Sequence, residues 1–144
     1  MTSPDEIVRA MFDRWSDPDR DPDRIGAYFA ADAVYHNRPM PPIVGRPAIR
    51  DFIGRFLFGF ESIRIDIHHQ ITSGGLVMNE RTDILRGPAR EIELPVMGVF
   101  EIDGAVITAW RDYYDMGTLV GAVGSEPESA PVARGSGLRR KFWR

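Results

Sequence analysis

The sequence contains no cysteine among its 144 residues, which excludes disulfide bonds and zinc sites built from thiolates. It also has no apolar run near the roughly 18–20 residues that span a bilayer as a helix. The first six residues, Met-Thr-Ser-Pro-Asp-Glu, lack the basic and apolar regions of a signal peptide. From these absences we expect a soluble protein of the cytoplasm.

Excess charge and histidine are scarce as well. Lys and Arg number 18 against 21 Asp and Glu, so the net charge is only −3. This balance disfavours nucleic acid or an anionic membrane as a partner and leaves small-molecule substrates open. Of the three histidines, we expect His68 and His69 to point to opposite faces of a strand. They lack further ligands at metal-binding spacing, so the sequence predicts no metal site.

The sequence does contain enough apolar residues for one substantial core. Hydrophobic residues make up 43% and charged residues 27%, as in globular proteins. We predict a single domain over residues 1–120. From Gly121 onward large apolar residues almost disappear, so residues 121–144 are predicted to form a flexible C-terminal tail.

The order of predicted elements indicates an α+β fold. Ser3 and Pro4 are typical of a helix start, and apolar residues then recur at three- and four-residue spacing. A short second helix is predicted from Ile25 to Phe29, and a third follows Gly45 with an apolar stripe that includes Phe52. Strands are predicted at residues 33–37, 62–72, 76–85, 90–102 and 105–114, with a hairpin turn at Asp103-Gly104. Helices thus precede a mostly antiparallel sheet.

Three groups with polar side chains lie on predicted strands. Because side chains alternate along a strand, Arg81 shares one face with Asp83, and Tyr35 shares one with Asn37. On the last strand Asp112 is the charged exception in a row that also carries Val106, Thr108, Trp110 and Tyr114. Each group alone also fits an exposed residue, a surface ion pair or a loop contact. Together in one concave sheet they predict a polar site, because burying several ionisable groups is costly unless they pair or function.

These motifs with several neighbouring phrases resemble those of limonene-1,2-epoxide hydrolases. The resemblance covers residues 5 to 120 and rests on Tyr35-x-Asn37, Arg81-x-Asp83, Trp110-Arg-Asp-Tyr113, Met40-Pro-Pro with Gly45-Arg, and Gly98-Val-Phe. It implies a nuclear-transport-factor-2-like, SnoaL-like fold, in which a strongly curved sheet and three to four helices form a cone around a deep pocket. It also implies a homodimer. The expected reaction is addition of water to an epoxide in one step, giving a vicinal diol without metal or cofactor.

The resemblance also implies a role for each polar residue. Asp112 is expected to be the general base that deprotonates the water, which Tyr35 and Asn37 would hold. Asp83 would be the acid that protonates the epoxide oxygen. Arg81 would lie between the two carboxylates and hold both in place. We expect a hydrophobic, terpene-like or cyclic substrate to contact Phe12, Trp15, Phe56, Phe60, Ile65, Leu85, Leu94, Val96 and Tyr114, although the helix positions fit ordinary core packing equally well.

Two other functions stay open at this point. Ketosteroid-isomerase-like and polyketide-cyclase-like enzymes share the expected fold, as do non-catalytic modules that bind small molecules. An isomerase needs no arginine between two acids, and a binding pocket is usually apolar throughout. The homodimer is expected to form through the outer face of the sheet, because Ile107, Ala109 and Tyr113 alternate with the predicted site residues.

Overall fold

The computed structural model describes residues 2–123, of which 121–123 are described by their backbone alone. Residues 124–144, most of the predicted tail, lie outside the described residues. Four helices and six strands occur in the described part. The helices are α1 (Pro4–Trp15), α2 (Pro22–Gly26), α3 (Arg46–Phe58) and α4 (Met116–Val123). The strands are β1 (Phe29–Arg38), β2 (Ile43–Val44), β3 (Ser62–Ser73), β4 (Leu76–Arg86), β5 (Glu91–Asp103) and β6 (Val106–Tyr113).

The strands form one sheet in the order β2-β1-β6-β5-β4-β3. The pairing of β1 with β6 is parallel, and the other pairings are antiparallel. The predicted α+β class with a mostly antiparallel sheet is therefore confirmed. The β5–β6 hairpin turns through Gly104, whose φ of 59° favours glycine because other side chains are strained in that conformation.

Helix α1 begins where the sequence predicts. Ser3 Oγ accepts a hydrogen bond from the Glu6 amide, and the Glu6 carboxylate accepts one from the Ser3 amide, which completes a capping box. The apolar stripe of α1 is buried against the sheet and consists of Ile7, Val8, Met11, Phe12 and Trp15. In α3, Ile49, Ile53 and Leu57 are fully buried, while Phe52 and Phe56 pack beside them at half-buried positions. The two helices thus close the concave side of the sheet.

Register shifts interrupt the regular alternation in three strand pairs and correct several predictions. They occur in the β1–β6, β3–β4 and β5–β6 pairings. The shift at Thr108 turns Ile107 into the core with no exposed area, so its predicted place on the outer face is wrong. Thr108 instead donates a hydrogen bond to the Glu101 carbonyl. Such bulges bend and twist a sheet, and here the sheet is curved and unclosed.

The bulge in β3 likewise corrects the prediction for the adjacent histidines. Both imidazoles lie on the outer face, where His68 contacts the Thr82 hydroxyl and His69 contacts the Glu80 carboxylate. Other elements also differ from the predictions: α2 begins at Pro22 rather than at Ile25, and the short strand β2 was not predicted. Phe29 begins β1 rather than ending α2, and α4, which the sequence did not indicate, follows β6. No helix in the described range is both long and apolar enough to cross a membrane.

Candidate active site

A row of four polar residues and one glycine, called the polar row below, crosses the concave face of the sheet. Its members lie in register on five neighbouring strands and are Gln70, Asn79, Gly98, Asp112 and Asn37. Arg81 lies one row away on β4, and its side chain reaches across β5 toward β6. A Cβ atom at Gly98 would lie 2.5 Å from Arg81 Nη1, so glycine is required for this approach. The site is therefore built where a glycine leaves room for a guanidinium.

Arg81 bridges the two carboxylates, as the sequence predicts. Its Nε donates to Asp83 Oδ1 at 2.8 Å, and its Nη2 donates to Asp112 Oδ2 at 2.6 Å and to Asp83 Oδ2 at 3.4 Å. The side chains are 1% exposed for Arg81, 5% for Asp112 and 16% for Asp83. Ion pairs this deeply buried persist only when the charges are closely matched.

Burial and charge determine the protonation states of the cluster. Burial lowers the pKa of Arg81, but Asp112 and Asp83 more than reverse this and raise it above its ordinary value, so the guanidinium stays charged. Burial raises the pKa of Asp83, with Arg81 opposing the effect and Asp112 adding to it. Because two carboxylates meet one cation, a single retained proton makes the cluster electrically neutral. The arrangement can offer a proton donor and a proton acceptor in one site.

Trp110 orients Asp112 from the same strand. Its indole Nε1 donates to Asp112 Oδ1 at 2.6 Å, so each oxygen of that carboxylate already has a donor. The indole ring is stacked between Phe100 and Tyr35, with centroid distances of 5.2 and 4.2 Å. The sequence predicts Trp110 only as a neighbour of Asp112 on the same strand face, not as its hydrogen-bond donor. The sequence signal for this contact was that Trp110 lies two residues before Asp112 and therefore on the same strand face.

Tyr35 and Asn37 lie beside Asp112 on β1. Asn37 pairs directly with Asp112 in the sheet register and is 6% exposed. Within residues 2–120, whose side chains are described, Asn37 Nδ2 is a buried nitrogen without a hydrogen-bond partner. Burial and the Asp112 charge raise the pKa of Tyr35 well above its ordinary value, so the phenol keeps its proton. An amide N–H group and a phenol O–H group, both hydrogen-bond donors, thus lie beside the carboxylate.

The polar groups lie at one end of a cavity of about 210 Å³. Of the predicted substrate contacts, Phe12, Trp15, Phe56, Ile65, Leu94 and Tyr114 line it. The other three predicted contacts do not line it, so their prediction is wrong. Leu85 and Val96 are buried in the core, and Phe60 lies beyond the end of α3 beside a separate surface pocket with Pro88 and Ile92.

Several residues of the site were missed at the sequence level. Met40, Phe52, Trp110 and Leu119 also line the cavity. Phe52 was assigned only to the packing stripe of α3, and Leu119 lies on the unpredicted α4. Asn79 and Gln70 contribute to the polar row; Asn79 was detectable because it precedes Arg81 by two residues on the same strand face.

No group of three or more His, Cys, Asp or Glu side chains that could hold a metal ion occurs in the described part of the chain. The absence of metal and cofactor from the reaction stays a prediction.

Comparisons with known proteins agree with the site geometry. The sequence profile described as limonene-1,2-epoxide hydrolase catalytic domain matches residues 2–124. Epoxide hydrolase EphG of Mycobacterium tuberculosis is 36% identical over 95 residues, which span 65% of this chain and 62% of that protein. The match thus covers less than two thirds of the relative's length.

Solved structures show the same fold. One described as an LEH-like epoxide hydrolase of M. tuberculosis is 30% identical, with a TM-score of 0.69 over 83% of this chain and 94% of that one. A protein described as a SnoaL-like polyketide cyclase from Shewanella denitrificans has a TM-score of 0.73 at 19% identity, covering 83% and 96% of the two chains. The latter likeness concerns the fold alone. By the match over residues 2–124, this chain belongs to the limonene-1,2-epoxide hydrolase catalytic domain family.

Proposed function

We propose that the protein is an epoxide hydrolase that adds water to a hydrophobic epoxide and releases a vicinal diol. The observation that carries this proposal is the bridging of Asp83 and Asp112 by Arg81 at the polar end of an otherwise apolar cavity. Such an end can supply a base and an acid in the same step. The family and the activity named for its M. tuberculosis relatives support the same reaction.

The water is held and activated on the side of Asp112. Asn37 Nδ2 is a buried donor that needs a partner, since an unpaired buried donor costs about 1–3 kcal/mol. A water molecule there would accept a hydrogen bond from Asn37 and donate one to Asp112, and Tyr35 would be a further hydrogen-bond partner. Asp112 takes one proton of this water while the water oxygen forms a bond to an epoxide carbon. The orientation of Asp112 by Trp110 and Arg81 aims the carboxylate at the water.

The leaving oxygen is protonated by Asp83. As the carbon–oxygen bond of the strained ring breaks, its electron pair goes to the oxygen, which receives the Asp83 proton. The raised pKa of Asp83 supports this role, because burial favours the neutral acid. In the overall reaction, one epoxide and one water give one diol. Asp112 then holds a proton and Asp83 a charge, and proton exchange through solvent restores the starting state.

The cavity supports a compact, hydrophobic substrate. Its walls are mainly aromatic and aliphatic, and its volume is about 210 Å³. A terpene-like or cyclic epoxide would bury its ring among Trp15, Phe52 and Phe56 and direct its oxygen to Asp83. The aromatic walls exclude water from the rest of the substrate, which strengthens the electrostatic interactions at the polar end.

The test is an incubation of the protein with limonene oxide and cyclohexene oxide in ¹⁸O-labelled water. We expect a vicinal diol with one ¹⁸O atom per turnover. A carbonyl or other isomer without ¹⁸O would identify an isomerase instead. Absence of product from every epoxide tried, together with tight binding of an apolar ligand, would favour a binding module.

A further inference from the structure

Arg81 has a third partner outside the two carboxylates. Its Nη1 donates to Asn79 Oδ1 at 3.2 Å, and both residues are 1% exposed. Asn79 does not line the cavity, so it does not contact substrate. A buried amide that touches the guanidinium and nothing in the cavity therefore acts on the reaction only through Arg81.

The Asn79 amide is itself held by a hydrogen-bond chain that leads to α1. Asn79 Nδ2 donates to Gln70 Oε1 at 3.1 Å. Gln70 Nε2 donates to Asp5 Oδ1 at 2.8 Å and to the Asp5 carbonyl at 3.2 Å. A guanidinium only donates and an ionised carboxylate only accepts. The two ends of the chain thus fix the orientation of both amides, and the Asn79 oxygen must face Arg81.

The local structure places each link of this chain. The bulge in β3 brings Gln70 opposite Asn79, on the concave face. The capping box at Ser3 fixes the first turn of α1, and Arg9 pairs with Asp5 at 3.1 Å. The Gln70 hydrogen bond and Arg9 lower the pKa of Asp5, so it remains an acceptor at neutral pH. The chain therefore connects a fixed helix start to the guanidinium.

The groups that face Arg81 from the surrounding elements explain why this partner is an amide. Asp83 on β4 and Asp112 on β6 are the two acids bonded to the guanidinium, while Tyr35 and Tyr114 line the cavity as titratable phenols. Phe12 from α1 lies 4.8 Å below the guanidinium, and β5 contributes Gly98. A third carboxylate would give the cluster more negative charge than the single cation can neutralise. A neutral acceptor holds Nη1 without competing for its charge.

We propose that Asn79 is a positioning residue of the proposed reaction. Held by Gln70 and Asp5, it fixes Nη1 of Arg81 and keeps the guanidinium in the orientation in which Nε and Nη2 meet Asp83 and Asp112. The inference rests on the proposed function, and the wild-type diol assay tests that function separately.

The first test replaces Asn79 by leucine, which has a similar shape but accepts no hydrogen bond. We expect kcat for diol formation to fall about 10- to 100-fold, as for other small misplacements of catalytic groups. KM should change less than twofold, because Asn79 does not line the cavity. Gln70→Leu should give a smaller loss in the same direction. It also provides the test if Asn79→Leu does not fold.

The matched control is Val77→Ala, two residues earlier on the same strand face. Val77 is fully buried and belongs to the core, so its truncation lowers stability without touching Arg81. We expect Val77→Ala to lower the melting temperature and leave kcat near wild type. A kcat for Asn79→Leu within twofold of wild type, or an equal kcat loss in Val77→Ala, would overturn the proposal.

The second test uses pH. Asn79→Asp keeps an acceptor for Nη1 but adds a negative charge to the cluster, so both limbs of the kcat–pH profile should move up by about one unit. The new carboxylate also faces the Gln70 oxygen. Adding Asp5→Asn lets the Gln70 amide turn round, and we expect it to restore stability lost in Asn79→Asp. An unshifted pH profile in Asn79→Asp would contradict a role through Arg81.

Discussion

At the scale of single residues, the guanidinium of Arg81 determines what the two acids can do. It is charged, almost fully buried and bonded to both carboxylates. With one proton retained, the cluster has no net charge, which lowers the cost of keeping it in a low-dielectric cavity. In the proposed reaction that proton lies on Asp83, whose pKa is raised by burial. The proposed roles of acid and base rest on this difference in surroundings.

The raised pKa of Asp83 leads to a prediction on pH. The acid must be protonated to serve the leaving oxygen, so kcat should fall as pH rises through the pKa of Asp83. Burial is the largest influence on this pKa and raises it, even though Arg81 opposes the effect. The fall in kcat should therefore occur above the pH at which an ordinary aspartic acid ionises. The measurement is kcat for diol formation across pH. A kcat that rises through this range would mean that Asp83 acts in its ionised form.

A second residue-scale prediction concerns the phenol of Tyr35. Tyr35→Phe removes one contact to the water and no proton-transfer group, so kcat should fall only about 5- to 10-fold, as for the loss of one hydrogen bond. The control is Tyr113→Phe, which removes an exposed phenol from the opposite face and should leave kcat unchanged. A loss of a thousandfold or more would show that Tyr35 transfers a proton itself.

At the scale of strands, the site depends on the alignment of β4, β5 and β6. Asn79, Gly98 and Asp112 lie in register on these strands, and Arg81 reaches over the glycine. Phe100 and Trp110 pair in the next row, and the Trp110 ring is stacked between those of Phe100 and Tyr35. An aromatic row thus supports a polar row, which keeps the carboxylates in place while their other sides face the cavity.

This alignment predicts that Gly98→Ala inactivates the protein. The new Cβ would lie 2.5 Å from Arg81 Nη1 and 3.0 Å from Asp112 Oδ1, so the guanidinium must move away. We expect kcat to fall about 100-fold. The control is Gly54→Ala in α3, where the added Cβ meets Pro22 at an ordinary 3.5 Å and favours the helix. Full activity in Gly98→Ala would show that Arg81 does not need its observed position.

The two-residue period of strands explains both what the sequence predicts and where it fails. It identified the shared faces of Arg81 with Asp83 and of Tyr35 with Asn37, and the predicted strands match those observed to within one or two residues, except the start of β1. It failed at the bulges. An extra residue in one strand reverses the faces that follow, which is why Ile107 was placed outward and Gln70 was overlooked.

Other misses arise from contacts that no local pattern carries. Helix α4 contains glycines, which favour helix poorly, yet Leu119 packs on the cavity and Asp115 accepts from the Gly117 amide at its start. Phe60 fits the helical spacing of apolar residues in the sequence of α3, but the helix ends at Phe58. Which buried side chains border the cavity depends on how the helices lie across the sheet.

At the scale of the whole molecule, the outer face of the sheet carries a patch of exposed apolar side chains. Ile71, Met78, Met97 and Tyr113 are between 42% and 73% exposed there. Ile71 pairs with Met78, and Met97 pairs with Tyr113, so these side chains form neighbouring rows. An apolar surface of this kind is typical of an interface between copies. The predicted homodimer therefore rests on these residues and no longer on Ile107.

Light scattering at micromolar concentration measures the assembly. We expect about twice the chain mass of 16.3 kDa. Met97→Glu should shift the protein toward the monomer, because it would bury a charge between two sheets. Phe58→Glu, at an exposed helix position away from this face, is the control and should remain dimeric. A monomer mass for the wild type would reject the interface.

The most direct test of an acid and a base acting in one step compares four proteins in the same diol assay. These are the wild type, Asp83→Asn, Asp112→Asn and the double variant, with folding checked by circular dichroism. Asp66→Asn, which alters an exposed aspartate on β3, is the control. Amides preserve shape and much of the hydrogen bonding, but they neither accept the proton of the water nor protonate the epoxide oxygen.

We predict that each single substitution lowers kcat/KM by about 10²- to 10⁴-fold. The double variant should be little worse than the poorer single variant, because groups that act as a unit are not additive. Asp66→Asn should match the wild type. Substantial hydrolysis by folded Asp83→Asn, or losses that multiply in the double variant, would contradict the paired acid and base.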